Sequence, residues 1–431
     1  MTAVAETPSS APVSADLRRV TVVSRKGAIA YTVVTALMAL LLLLKQRDGD
    51  IKYRLGAEGD ALRLPDVALP GMTTAWVCVA VAAAITVVAW LLVRAERKVP
   101  VWLSLVYGLA LLVAFLSWAG AGSAQDLPVT RLVGGAVLLS VPILFGALGG
   151  VIGERAGVVN IAIESQLLLG AFAAAITGSL TDSPVAGLVA AVAAGVLVAL
   201  VLGVFTITYK VDQVIVGVVL NVLVVGLTSF FYSEVLVPSA ERLNDTERFK
   251  PIAIPGLSEI PILGPALFRQ TLLVYLAYIA VPVVWFALYR TRWGLRLRAV
   301  GEHPQAADTV GIKVERTRYR ALLIAGGVVG LGGAFYTVVA VSSFGKEMTA
   351  GAGFIALAAV IFGKWDPVRA AVAALLFGFA SNLDDMLSIV GAPVASQFML
   401  MLPYVVTLFA VAGLVGKSRA PAADGTPYIK E

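Results

Sequence analysis

The sequence is short of the side chains that most chemistry needs. It holds one cysteine, Cys78, and one histidine, His303, among 431 residues. A single cysteine excludes an intramolecular disulfide, and because Cys78 lies inside an apolar run it reads as a small packing residue. A single histidine excludes a histidine-based metal site and a Ser-His relay. The phosphate-cradling pattern G-x-x-x-x-G-K-[ST] is absent, so ATP is not expected to bind this chain. No catalytic residue, metal ligand or cofactor is expected. Charge is scarce too: Asp, Glu, Lys and Arg make up 14% of the residues against 59% hydrophobic ones.

That composition, with a mean hydropathy of +0.90, is too apolar for a soluble domain of this length. The apolar residues fall in runs of about twenty rather than in short alternating segments, which excludes a transmembrane barrel. The fold class is therefore all-α, a polytopic integral membrane protein. A formal charge of +6 looks like a nucleic-acid signal, but the cations sit in short loops beside spans, where membrane topology explains them. No nucleic-acid partner is expected.

Residues 1–27 read as a cytoplasmic tail, disordered over the Ala-, Pro-, Ser- and Thr-rich stretch 1–17. No small-residue cleavage site precedes Lys45, so 28–44 reads as an uncleaved first span with its N-terminus inside. Further spans are expected at 73–93, 101–119, 131–150, about 158–176, 185–207, 214–236, 271–288, 321–341, 353–362, 368–379 and 398–415. About twelve spans place both termini and every basic turn on the cytoplasmic side of the plasma membrane. Five prolines between 237 and 270 forbid a continuous helix there.

The loop 290–320 is the strongly basic segment. Eight cations (Arg290, Arg292, Arg296, Arg298, Lys313, Arg316, Arg318, Arg320) face three anions (Glu302, Asp308, Glu315). Its middle predicts a short helix over 303–311, since Pro304 suits a first turn and Gly311 the residue past the end. Small Ala306 and Ala307 on such a helix suit docking into a cleft on a soluble partner.

Elsewhere, Asn160 and Glu164 are four apart and share a helix face, with Gln166 close by. They either line a watery cavity or hydrogen-bond to neighbouring spans as structure. Asn382, Asp384 and Asp385 stand at the outer end of a span, either at a pathway mouth or as a solvated helix end. The small-xxx-small spacing of Gly326, Gly330 and Ala334, and of Gly146 and Gly150, predicts close helix packing. The stretches 157–172 and 351–365 are both small-residue-rich and either polar-interrupted or short, as broken helices at matching positions of two transporter halves are.

The run GERAGVVNIAIESQLLLGAF (153–172) resembles a segment of nucleoside and simple-sugar ABC permeases, whose pattern is GERxGVxNIxxEGxMLxGAF. It departs at Ser165, where that family has Gly, and at Leu168, where it has Met. RTRWGLRLRAVGEHPQAADTVGI resembles the cytoplasmic coupling segment of ABC-importer permeases of the branched-chain amino acid, ribose and nucleoside type. DQVIVG followed by Asn221, GFIALAAVIFGKWDP (353–367) and MLPY (401–404) are similar to further family stretches, so the resemblance covers roughly 130–416.

It implies a ten-helix, type II-like permease core within 101–416, preceded by extra spans in 28–100 and followed by a cytoplasmic tail, 417–431. The implied function is the permease subunit of an ATP-driven importer of nucleosides or simple sugars, set in membrane lipid. The implied partners are a separate ABC ATPase, a second permease subunit and an extracytoplasmic substrate-binding protein. The implied substrate pathway holds Asn160, Glu164, Gln166 and Asn221. The implied ATPase-coupling residues are Gly301, Glu302, His303, Pro304, Ala306, Ala307 and Gly311. The rival is an ion-coupled secondary transporter of small polar solutes, which needs an intramembrane acid; Glu164 is its candidate.

Overall fold

A computed structural model describes residues 25–56, 64–391, 401 and 419–430. They divide into two compact units, one made of residues up to 49 and 70–121, the other of 50–69 and 122 onward.

The first unit is three apolar helices, α1 (Lys26–Leu44), α2 (Gly71–Arg94) and α3 (Val101–Ala119). Aliphatic residues all around each helix leave lipid-facing surface, and polar groups pin the seam. Tyr31 stacks on Tyr107 with ring centroids 4.1 Å apart, and the Tyr107 hydroxyl donates to the Tyr31 carbonyl at 2.8 Å. At the end of α1, where carbonyls lack intrahelical partners, the Trp118 indole N–H donates to the Lys45 carbonyl at 2.7 Å. The sequence grouped 101–119 with the spans that follow; in the structure α3 packs with α1 and α2.

The second unit begins with β1 (Asp50–Arg54), ordered between β2 (Val67–Pro70) and β3 (Leu127–Pro128). The long helices α4 (Val129–Arg155), α5 (Ile163–Thr181), α6 (Pro184–Gly203) and α7 (Gln213–Phe231) follow, the last two extended by π turns to Thr208 and Leu236. Starts are signalled locally: the Asp212 carboxylate accepts from the Val214 and Ile215 amides at 2.8 and 3.0 Å, so α7 begins there. The proline-rich stretch yields only α8 (Ala240–Leu243), α9 (Leu263–Phe268) and the antiparallel pair β4 (Ile252–Ala253) and β5 (Arg269–Gln270). Then come α10 (Leu272–Arg290), α11 (Arg292–Glu302), α12 (Pro304–Thr309), α13 (Val314–Phe335, with a π turn to Val341), α14 (Ala352–Phe362) and α15 (Pro367–Val390).

Among the described residues ten helices are long and apolar enough to cross a membrane, and α14 is a shorter apolar one. The expected span 398–415 lies outside the described residues. α15 runs past the expected 379 because Asn382 is not a solvated end: it is buried, and its amide donates to the Leu132 carbonyl of α4 at 2.7 Å. α11 was not foreseen. Its buried residues Gly294, Leu297, Val300 and Gly301 form one face at helical spacing, which the intervening arginines mask.

The core forms around α4, whose Phe145, Leu148 and Val151 are fully buried between α13 and α15. α6 and α13 meet through backbone rather than side chains. A Cβ on Gly195 would strike the Gly326 carbonyl, and one on Gly330 the Ala191 carbonyl. This is the close packing that small-xxx-small spacing predicts, and in lipid it substitutes van der Waals contact for a hydrophobic drive that is absent there. Gly330→Leu is therefore expected to separate α6 from α13 and cost at least about 3 kcal/mol, the upper range for overpacking. The check is the yield of monodisperse protein from membranes, and near-normal yield would show that the helices slide apart at little cost.

Candidate functional site

Two sites are built where regular structure breaks. At the first, α4 ends at Arg155, the chain turns back without helix through 156–162, and α5 starts at Ile163. The level is fixed by glycines of α4: a Cβ on Gly146 would meet Ala356 and Ile163, and one on Gly150 would meet Val360. Gly146 lies nine residues before Arg155, so α5 begins roughly 13 Å in from the end of α4 at 1.5 Å per residue. α14, at about 16 Å too short to cross, starts at that same depth.

The Glu164 carboxylate joins the two breaks. Its Oε1 accepts from the Thr349 hydroxyl at 2.6 Å and the Gly351 amide at 3.0 Å, and its Oε2 from the Gly353 amide at 2.6 Å. These amides are donors without intrahelical partners at the start of α14, and Glu164 itself stands in the first turn of α5. One anion thus sits at two helix N-termini, where the partial positive charge of the peptide dipoles favours it. Gly351 at φ +83° takes the left-handed conformation that lets the chain turn into α14.

The unwound backbone is satisfied by side chains of α7. Gln213 Oε1 accepts from the Val159 amide at 2.6 Å. Asn221 accepts from the Ser165 amide and donates to the Ile161 carbonyl, both at 3.0 Å. Asn160 donates to Gln166 Oε1 at 3.0 Å. The Ser165 hydroxyl donates to the Ala162 carbonyl at 2.8 Å. Irregular backbone at membrane depth is tolerated only where protein supplies such partners. The structure thus brings Asn160, Glu164, Gln166 and Asn221 into one buried layer, each at most 7% exposed. Asn160 Oδ1 and Gln166 Nε2 are left without a partner among the described residues.

Beside this layer is a cavity of about 280 Å³ whose lining includes Tyr336, Met348, Thr349, Ser381, Asp384 and Asp385. Thr349 is shared: its hydroxyl holds Glu164 while its segment forms the cavity wall. The sequence left Asp384 and Asp385 open between a pathway and a solvated end, and it gave no signal for Thr349.

The second site is the basic end. α12 forms as Pro304 and Gly311 predict, Gly311 lying just past its end at φ +84°. His303 caps it, its Nδ1 accepting from the Ala306 amide at 3.4 Å. Gly301 touches the end of α4: a Cβ there would collide with the Arg155 carbonyl. Arg155 lies 4.0 Å from Glu302 and donates to the Trp365 carbonyl at 2.9 Å, while the Trp365 indole donates to the Glu154 carboxylate. Sequence reasoning quoted Glu154 and Arg155 within a motif but gave them no role; two adjacent charges at a span end were the available signal.

His303, Gln305, Ala306 and Val310 are exposed, whereas Pro304 and Ala307 are buried. Ala307 packs with Val300, Val314 and Tyr428, so it faces inward and is not presented to a partner as its small size suggested. The covering residue comes from the segment 419–430, which is tied down at several points. The Ala423 amide donates to the Gly301 carbonyl at 2.9 Å, buried Arg318 donates to the Thr426 carbonyl at 2.9 Å, and Lys430 lies 3.4 Å from Asp308. Burial pushes the Asp424 carboxyl up to about 7, with the Arg318 guanidinium pulling it the other way.

Comparison with known proteins adds to this geometry. Residues 131–411 match the family described as branched-chain amino acid transport system / permease component. The chain is similar to the guanosine ABC transporter permease protein NupQ of Bacillus subtilis, 39% identical over 308 residues, 69% of this chain and 96% of that one. It is similar to the nucleoside ABC transporter permease protein NupC of Lactococcus lactis, 37% identical over 69% of this chain and 96% of that one. A Haloferax volcanii protein provisionally named as a glucose ABC transporter permease is 39% identical over 59% of this chain and 76% of its own length. No solved structure matches.

The clasp makes Glu164→Gln decisive between the two readings of that residue. Glutamine keeps the shape but turns an N–H₂ toward amide or hydroxyl donors, so a stability loss of about 2–3 kcal/mol is expected, with transport per folded molecule unchanged. The reverse result, a stable protein with altered transport, would restore Glu164 to the pathway. At the basic end, the docked Asp424 carboxyl holds its proton up to about 7 and the free one to about 3.8. Docking of 419–430 is therefore strongest below the lower value, weakens as pH rises through the interval and levels off above about 7. Amide exchange at Ala423 measured from pH 5 to 8 should speed up accordingly beyond the intrinsic rate, and Asp424→Asn should flatten the trend.

Proposed function

The chain belongs to the branched-chain amino acid transport system / permease component family, and from that membership we propose that it passes nucleosides through the cell membrane as the permease subunit of an ATP-driven importer. The observation that carries the substrate class is 39% identity to a guanosine permease protein across 96% of that protein's length. The Haloferax relative favours a simple sugar as the second reading. The subunit is a conduit and not an enzyme; ATP hydrolysis belongs to a separate chain. Ion coupling through Glu164 loses its basis, because both carboxylate oxygens are engaged by donors of the protein.

In this reading the basic loop sets α11, α12 and both termini in the cytoplasm. The ATPase docks on the exposed edge of α12, His303, Gln305, Ala306 and Val310. Gly301, Glu302, Pro304, Ala307 and Gly311 hold that edge in place from behind. A second permease chain completes the pore, and an extracytoplasmic binding protein delivers substrate. The outer mouth is the cavity of about 930 Å³ lined by Arg131, Gln270 and, from the added loop before α2, Arg54 and Asp66.

The substrate then passes the smaller cavity. Asp384 and Asp385 accept hydrogen bonds from ribose hydroxyls, and Tyr336 and Met348 offer apolar surface to the base. Asn160, Glu164, Gln166 and Asn221 shape this wall from behind.

The test is uptake of labelled guanosine by the complete reconstituted complex. Saturable, ATP-dependent uptake that unlabelled nucleosides suppress and glucose does not is expected. Asp384→Asn should raise the KM for guanosine by about tenfold, the loss of one charge-assisted hydrogen bond. Glucose uptake indifferent to guanosine would give the sugar reading instead, and uptake without the ATPase would sink the importer.

A further inference from the structure

The basic loop carries more charge than its known contacts use. Arg290 stacks over Trp285 at 5.7 Å and Arg298 over Tyr289 at 5.0 Å, and Arg318 is taken by the Thr426 carbonyl. Arg296, Lys313, Arg316 and Arg320 have no hydrogen bond or ion pair among the described residues. All four line one cavity of about 620 Å³ between α11 and the start of α13. Of the loop's acids, Glu302 and Asp308 are engaged by Arg155 and Lys430, and Glu315 does not line the cavity. The N-terminus of α13 opens on the same space, and no side chain caps it. Four uncompensated cations and free helix amides converge on a place fitted to an anion with several acceptor oxygens.

An apolar groove adjoins this cavity. Arg316, Arg320 and Ile324 follow at intervals of four on one exposed face of α13, so each lies about 6 Å beyond the last. Arg320 lines the basic cavity, and Ile324 lines a groove of about 330 Å³ between α10 and α13, with Val283, Ala287, Trp293 and Val328. α11 bridges both, offering Trp293 to the groove and Leu295 with Arg296 to the cavity. Leu295 is 63% exposed and Ile324 47%, an apolar border beside the charges. Trp285, Tyr289 and Trp293 mark this level as the interface, where amphipathic rings gather.

We propose that these two cavities together hold one anionic phospholipid, its phosphodiester among Arg296, Lys313, Arg316 and Arg320, and an acyl chain in the groove between α10 and α13. A headgroup explains the cations and the uncapped helix end; only an attached chain explains the apolar groove one turn deeper. Basic pockets between spans on the basic side of a bilayer are suited to such headgroups. Because the lipid bridges α10, α11 and α13, it fixes the root of α12. This site is independent of the transported substrate.

The test uses the full chain purified with its ATPase, titrated with phosphatidylglycerol or phosphatidylcholine and read by native mass spectrometry. Wild type should retain phosphatidylglycerol selectively. Arg316→Gln with Arg320→Gln should weaken retention about thirtyfold, from about fivefold for each cation removed near the surface. Ile324→Trp, which plugs the groove and leaves every charge in place, should also lower retention. Inorganic phosphate provides the other arm. Phosphate binding as tight as the lipid's and indifferent to Ile324→Trp would assign the cavity to a free anion and overturn the lipid. Unchanged lipid retention in the double variant, accompanied by loss of the ATPase, would assign the cations to that interface and overturn it equally.

Discussion

One carboxylate holds the two irregular segments of the second unit together. Glu164 receives the Thr349 hydroxyl and the Gly351 and Gly353 amides, and it stands in the first turn of α5 while facing the first turn of α14. In a bilayer interior no water is present to relieve a buried charge or a free amide. Each would be costly alone, and here each is the other's partner. The same contact fixes where α14 begins, and so where the chain from Ser342 to Gly351 must dip inward before helix can form. The 280 Å³ cavity is lined by residues of this segment together with α4 and α15. Gln213 and Asn221 do for the backbone of 156–162 what Glu164 does for 349–353, with amides in place of a charge.

The spans, the capped α12 and the tight glycine packing were legible because each rests on a local or periodic rule. Apolar runs give helices, Pro304 and Gly311 bracket a turn, and Gly326 and Gly330 repeat at four. The buried layer was half legible. Four polar residues in apolar sequence were visible, but whether they face a pathway or one another depends on partners almost two hundred positions away, such as Thr349 for Glu164. Sequence spacing carries nothing about such pairs. Ala307 shows the same limit, since smallness suits both a docking face and a close internal contact, and only Tyr428 decides. α11 was hidden for another reason: its apolar face is narrow and glycine-rich, and three arginines outweigh it in any composition average.

The basic end and the buried layer are joined by a continuous chain of contacts. Gly301 of α11 presses on the Arg155 carbonyl so closely that no Cβ fits. Arg155 in turn holds the Trp365 carbonyl, and Glu154 the Trp365 indole. Trp365 lies three residues past the end of α14, whose 11 residues lead back to the amides that Glu164 binds. On the proposed coupling role of α12, a displacement of that helix would pass through these contacts to the ends of α4 and α14. Packed interiors pass such shifts on because they switch between arrangements and do not deform smoothly. At the far end of α14 lie the Glu164 contacts and the non-helical 342–351, of which Met348, Thr349 and Ala350 line the cavity. On that proposal a push on the exposed edge of α12 ends at the breaks 156–162 and 342–351, which side chains hold in place of regular helix.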